Sequence, residues 1–529
     1  MLCRIEPDWD SGARLPRAAA CVIGGSESRL RRWLWPLAFA VATAGHLPAI
    51  AQLAGIPAIG LPSDPQPPEQ SLPEATKKST GLYEAAEKSD RLALIQHPDS
   101  VPMLDDLAHL LEGEGKHLAA LYYWKRALAK DPSNEQVALA VAALSADLGN
   151  TADALSDLRA ITAAHPQYEP AVFTLGAVLC RMRDYPGGLE SYRRALQLNP
   201  ADSVARLSLA KALLSLHRHE DAIPELRQYV LEHPGDAEGR YLLGVSYRGS
   251  HRLEEAEAEL RRALQVDPGF PRLDSELGAT LTQEGKMEEA LPHLDRAISQ
   301  DRGDADAHFY RLLVFRSLKR TEETKREVEL IAALKRKQVA SDRVALLRTR
   351  AKASVDTKRP QDAIDLYGEA LKISPHDASL YYEVGVIEGS LGRLAAEQAD
   401  LKRAEAEDPS LAAAHNQLGV SAIQEGNYDE AKRELELAIQ REPLYFAAIG
   451  NLGVAYARAG DTPRAIACFQ RATDLNPAYE QGHLNLGVLL AASGSLQAAD
   501  EELGRALVID PNDQVAAHLR KEIRSSARQ

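Results

Sequence analysis

Prolines set the frame of this chain. Pro98, Pro132, Pro166, Pro200, Pro234 and Pro268 are spaced by 34 residues, and Pro375, Pro409, Pro443, Pro477 and Pro511 resume the same step. Arg302 stands where the next proline belongs, and the 73 residues from 302 to 375 amount to two steps and an insertion of five. Proline pushes the residue before it out of the helical region, so helices end there. A fixed proline phase therefore means one short helical unit used again and again. It excludes a body built around a sheet, and it displaces the ordinary reading of such a length as about three or four separate domains.

The unit is legible in Phe446 to Tyr479. Leu452 and Gly453 occupy its positions 7 and 8, Tyr456 position 11, and Ala465, Phe469, Ala472 and Pro477 positions 20, 24, 27 and 32. Position 8 is small in eleven units: Ala108, Ala142, Gly176, Ala210, Gly244, Gly278, Ala351, Gly385, Gly419, Gly453 and Gly487, with Leu312 the exception. Two helices that cross closely need small side chains at the contact, while larger ones such as Leu452, Tyr456 and Phe469 fill the space around it. Gly426, Gly460 and Gly494 lie at position 15, where a left-handed residue ends the first helix. This pattern resembles the tetratricopeptide repeat, a helix–turn–helix unit, over about residues 101 to 513 as twelve units. The resemblance implies an all-α fold, a right-handed superhelical solenoid of such units, with first helices lining a concave groove that holds other protein segments. Stability is then a sum over neighbours.

The flanks read differently. Residues 1–51 form a signal-peptide region: the basic Arg29-Leu30-Arg31-Arg32, an apolar core at 33–44, and Ala49-Ile50-Ala51 as a small-residue site with cleavage after Ala51. Residues 52–78 are a proline-rich linker, extended and semi-rigid. The expected location is periplasmic or secreted. The alternative is an inner-membrane anchor formed by residues 33–61, although Pro36, Pro48 and Pro57 interrupt that stretch. Residues 79–100 read as an N-terminal capping helix or partial repeat, 101–304 as six units, and 378–513 as four. Between them, 305–377 is degenerate, its part 305–359 is basic with 15 Lys/Arg against 7 Asp/Glu, and a kink or wider spacing is expected there. Residues 514–529 form a C-terminal capping helix begun by Asp513.

Composition narrows the function. Lys and Arg number 62 against 76 Asp and Glu, a net charge of −14, which disfavours nucleic acid as a partner. Cys3, Cys21, Cys180 and Cys468 form no CxxC pair, so neither a disulfide framework nor a zinc site is indicated, and the last two read as packing residues. No phosphate-loop, GxSxG, HExxH or GxGxxG motif occurs. His217-Arg218-His219-Glu220 reads as a solvated turn that lacks further ligands. The chain is expected to be no enzyme, with no cofactor and no metal.

Recognition is the expected chemistry. Within the implied groove, Tyr382, Asn416, Gln417, Gln424, Asn451, Arg458, Gln481 and Asn485 form the candidate peptide-binding row. Carboxamides one repeat apart can bond a peptide backbone of any sequence, because each amide both donates and accepts. This row is similar to the asparagine ladder in the repeat region of O-linked N-acetylglucosamine transferases. That similarity stops short of the N-terminal units, where Asp106, Ala140, Thr174, Ser208 and Leu242 occupy the position. Lys335, Arg336, Lys337, Arg348, Arg350 and Lys352 form a candidate patch for an acidic partner. The expected partner is a protein or extended peptide, and a membrane only if the N-terminal segment stays uncleaved. The competing role is a membrane-anchored accessory subunit of an envelope or polysaccharide-export assembly.

Overall fold

The computed structural model describes residues 97–526 throughout and, before them, Glu87, Ser89, Asp90, Arg91 and Leu94. The signal, the linker and most of the N-terminal cap lie outside the described residues. Every regular element among the described residues is an α-helix, and no strand occurs among them. No described helix is long and apolar enough to cross a membrane. Contacts divide the described residues into two compact units, one holding 134–343 and the other joining those before 134 to 344–526.

The first unit runs α3 (Glu135–Asp147), α4 (Thr151–Ala164), α5 (Glu169–Arg181), α6 (Tyr185–Leu198), α7 (Ser203–Ser215), α8 (His219–Glu232), α9 (Ala237–Gly249), α10 (Leu253–Val266), α11 (Leu273–Gln283), α12 (Met287–Gln300) and α13 (Ala305–Ser317). It then enters α14 (Thr321–Asp356), inside which the division falls. The second unit holds the hairpin α1 (Val101–Gly113) and α2 (His117–Lys130). After α14 it continues with α15 (Pro360–Ile373), α16 (Ala378–Ser390), α17 (Leu394–Glu407), α18 (Ala412–Glu425), α19 (Tyr428–Arg441), α20 (Phe446–Arg458), α21 (Thr462–Leu475), α22 (Glu480–Ala492), α23 (Leu496–Ile509) and α24 (Gln514–Ser526). Within this unit Arg91, ahead of the hairpin, reaches the C-terminal repeats: its Nη1 lies 3.3 Å from Asp474 Oδ1.

The small-residue phase does what close crossing demands. A Cβ added at Gly419 would lie 2.5 Å from Leu435 Cγ, at Gly244 2.6 Å from Leu260 Cγ, and at Gly453 3.1 Å from the Phe469 ring. In these glycine units position 8 therefore meets position 24 of its own hairpin too closely to admit a side chain without a shift of the neighbour. Ala465 and Ala472 are fully buried, as are their counterparts Ala256, Ala263, Ala431 and Ala438. Second helices end before each proline as expected, with Asn476 and Asp510 in extended backbone. Asp513 caps α24 by accepting from the Val515 and Ala516 amides.

The turn at position 15 is more uniform than its sequence. Gly115, Gly149, Gly285, Gly392, Gly426, Gly460 and Gly494 have positive φ, and so do Arg183, His217, His251, Lys319 and Lys358 in the remaining units. The amide of the next residue closes each turn onto a carbonyl five back, as in Arg218 N to Leu213 O and Asp461 N to Tyr456 O, both 2.9 Å. That bond needs the left-handed backbone and is indifferent to the side chain, so the turn survives where glycine is missing.

A second regularity braces six of the hairpins, most of them also to the loop before. Position 4 of the first helix reaches position 23 of the second. Arg240 Nη1 donates to Glu259 at 2.9 Å, and His415 Nδ1 and His483 Nδ1 meet Glu434 and Glu502 at 2.9 and 2.6 Å. Arg206–Glu225 and His308–Glu327 repeat the pairing, and Asp274–His293 reverses it. The same position-4 side chain also donates to a carbonyl six residues upstream: Arg240 to Pro234, His308 to Arg302, His415 to Pro409 and His483 to Pro477. A brace of this kind needs two divergent N–H donors, which guanidinium and imidazolium supply. Tyr381 has one O–H and makes only the loop bond, to Pro375.

The degenerate segment differs from expectation in its middle. A kink or wider spacing is expected in 305–377. Instead α14 runs for 36 residues without a break in its helical assignment. No glycine lies between Gly303 and Gly368 and no proline between Pro292 and Pro360, so nothing in the segment stops a helix. The insertion is absorbed by fusing a second helix to the following first helix. From Lys335 to Arg343 all residues are exposed except the half-buried Ala340, while Val344, Leu347 and Ala351 pack with Ala363, Tyr367 and Leu380.

Candidate functional site

The candidate row lies on α16, α18, α20 and α22, the first helices of four successive units, and the structure sorts it into groups. Asn451 Nδ2 donates to Asn416 Oδ1 at 2.9 Å, and both side chains are buried. Gln417 Nε2 donates to Glu397 Oε1 at 2.7 Å, across to the second helix of the preceding unit. Tyr382 is buried in an apolar cluster with Leu401, Ala413 and Leu418. These four are already occupied by their own packing. Gln424 and Arg458, both at position 13, line an open recess of about 190 Å³ with Tyr428 and Val454, and Gln481 stands half-buried.

Asn485 is the exception. It is 8% exposed, yet its Nδ2 has no hydrogen-bond partner. A buried amide donor without an acceptor costs about 1–3 kcal/mol, so such a group needs a reason to persist. Spacing alone shows the asparagines one repeat apart. It does not show that position 6 of one unit reaches position 5 of the previous one and stops there.

The basic residues also separate. Lys335, Arg336 and Lys337 are exposed on α14 before the division. Beyond it, Arg348 and Lys352 both sit 3.4 Å from Glu383, which neutralises part of their charge. Arg350 lines a shallow recess with Arg359, Asp362 and Asp365.

Reactive groups are few among the described residues. Cys180 and Cys468 are free and half-buried, and burial pushes the Cys468 thiol up to about 11, which keeps it protonated and a poor nucleophile. His217 is the left-handed turn residue itself. His219 begins the next helix, where burial first and the His217 ring second hold its pKa below the usual histidine value. The grouping that could take a metal was not visible in sequence: Glu405, His415 and Glu434 place ligand atoms within 4.8 Å of one another. The available signal was a position-4 histidine followed 19 residues later by glutamate.

Two models of the family described as tetratricopeptide repeat match the chain, one over 181–245 and 247–313, the other over 348–412, 416–480 and 451–514. No curated protein sequence matches it. Among solved structures, it is similar to residues 41 to the end of MamA from Desulfovibrio magneticus RS-1, at 22% identity and TM-score 0.31, covering 32% of this chain and 97% of that one. The APC/C hetero-tetramer Cut9–Hcn1 matches at 15% identity and TM-score 0.35, covering 85% and 94%. Yeast Tom70 matches at 14% identity and TM-score 0.32, covering 81% and 96%.

Proposed function

Because the chain belongs to the tetratricopeptide-repeat family, whose arrays are protein-interaction scaffolds, we propose that α16 to α22 hold an extended protein segment along the first helices of the C-terminal repeats. The orphan Nδ2 of buried Asn485 carries this reading. A peptide carbonyl would supply the acceptor it lacks, and Gln424, Arg458 and Gln481 offer further polar contacts nearby. The Asn416–Asn451 pair would have to exchange its mutual bond for peptide bonds, a nearly even trade at about 1 kcal/mol each. Useful affinity then comes from several repeats acting together.

Panning the full-length chain against a displayed library of random peptides tests this. Enriched peptides should lose at least about tenfold in affinity on Asn485→Ala, the ratio that about 1.4 kcal/mol corresponds to. Enriched peptides that bind Asn485→Ala unchanged would refute the row. No residue in the row supplies a nucleophile or a poised base, so the role we infer is non-catalytic. The location we propose is periplasmic or secreted, with cleavage after Ala51. Sequencing the mature N-terminus separates this from retention of residues 33–61 as an anchor.

A further inference from the structure

We propose that Glu405, His415 and Glu434 form a site for one first-row divalent cation, with Zn²⁺ the best match to a mixed imidazole and carboxylate set. Glu405 comes from α17, His415 from α18 and Glu434 from α19, so the site joins two consecutive repeats. His415 is buried at 3% exposure, and its Nε2 faces the Pro409 carbonyl at 3.1 Å. A histidine that ligates a metal through one nitrogen usually donates its other N–H to such an acceptor, which fixes the tautomer and aims the free nitrogen. Here that leaves Nδ1 pointing at Glu434 Oε2, 2.9 Å away, with a Glu405 oxygen in the same cluster. Around Zn²⁺, with bonds near 2.0–2.2 Å, ligand atoms sit about 3.4 Å apart. Rotation of the half-buried Glu434 side chain widens the 2.9 Å pair and rotation of the half-buried Glu405 brings its oxygen to the same spacing.

The repeat supplies its own control. His308 and His483 make the same two contacts with their own glutamate and upstream carbonyl. Neither has a third carboxylate, because Ile298 and Thr473 stand where Glu405 stands. Across the other repeats that position holds only Leu, Ile, Val, Ala or Thr: Leu128, Thr162, Leu196, Val230, Leu264, Ile298, Ala332, Leu371, Ile439, Thr473 and Leu507. Glu405 is thus the one acid at a packing position. It makes no hydrogen bond, and it lies beside an imidazole–carboxylate pair that is complete without it. A brace alone explains His308 and His483 and leaves Glu405 unexplained. With both carboxylates ionised and the imidazole protonated, the trio carries a charge of −1. Binding M²⁺ displaces the Nδ1 proton to solvent and brings the site to neutrality.

Calorimetric titration of the full-length chain with Zn²⁺, in two buffers of different ionisation enthalpy, tests the site. One saturable cation per chain is expected, with proton release and a raised melting temperature. Glu405→Gln should weaken binding by more than about tenfold. Glu502→Gln, which cuts the matching two-member pair at His483, should leave it unchanged. Glu405→Leu restores the residue class of the other repeats and should fold at least as well as the parent while losing the cation. The proposal is overturned if Zn²⁺ shows no saturable binding, or if Glu405→Gln and Glu405→Leu bind as the parent does.

Discussion

The repeats of 134–343 and those of 344–526 reach one geometry by different chemistry. In the first set, four of the left-handed turn residues are not glycine: Arg183, His217, His251 and Lys319, at φ from 57° to 63°. In the second set only Lys358 departs from glycine. Interior contacts differ in the same direction. Glu276 on α11 accepts from Arg248 at 2.7 Å, and Glu327, 2% exposed, takes both His308 and Arg311. In the second set the corresponding first helices bury Asn416 against Asn451. Period and packing are therefore fixed by the small residues and the turn hydrogen bond, which both sets share. The remaining positions are free to hold charge, as both sets do in their braces, or amides, as the second set does at Asn416 and Asn451.

The largest expected contrast follows from cutting one interior contact in each set. Glu327→Ala removes the carboxylate shared by buried His308 and by Arg311, which keeps only Asp295, and should cost about 3–5 kcal/mol locally. Asn451→Ala strands only a neutral amide and should cost about 1–3 kcal/mol. Native-state hydrogen exchange reads both, because repeats open locally. Equal losses would erase the distinction.

Turn exchanges should come next, with opposite signs. His217→Gly and Lys319→Gly relieve a left-handed side chain and should each gain about 0.5–1 kcal/mol, whereas Gly426→Ala and Gly460→Ala should each lose about 1 kcal/mol. Urea unfolding of the single variants checks the signs.

Acid sensitivity is the smallest effect. His219, in the first set, has a lowered pKa caused chiefly by burial. Its contribution is complete above the unfolded value near 6.5 and is lost as pH falls through the folded value. Asp500, in the second set, is lowered chiefly by its Arg524 hydrogen bond, and its contribution is lost only below about 3.8. Exchange protection between pH 7 and pH 5 should therefore fall near α8 before it falls near α24. His219→Gln should abolish the difference.

What could be read from the letters, and what could not, divides along the same physical line. Gly453, Ala465 and Ala472 were legible because close approach admits only small residues there. The left-handed turn was legible at Gly426 and hidden at Arg183 and His217, where a backbone hydrogen bond overrides side-chain preference. The braces of Arg240, His415 and His483 were hidden because the partners lie 19 residues apart and vary in type. The unbroken α14 was hidden because the insertion shows only as a spacing, while the absence of proline and glycine between Gly303 and Pro360 lets one helix run through it. The asparagine row was legible as a spacing and misleading as a free surface, since adjacent first helices let Asn416 and Asn451 satisfy each other.

Everything rests on how closely the two helices of a hairpin approach at position 8. A double-mutant cycle on Gly419 and Leu435 measures that approach directly. Gly419→Ala should cost about 1–3 kcal/mol by overpacking, and Leu435→Ala about 2–5 kcal/mol by leaving a cavity. The account predicts that the double variant is more stable than their sum by at least about 1 kcal/mol, because the added methyl enters the space the leucine vacates. Costs that simply add, within about 0.5 kcal/mol, would mean that the two positions do not touch.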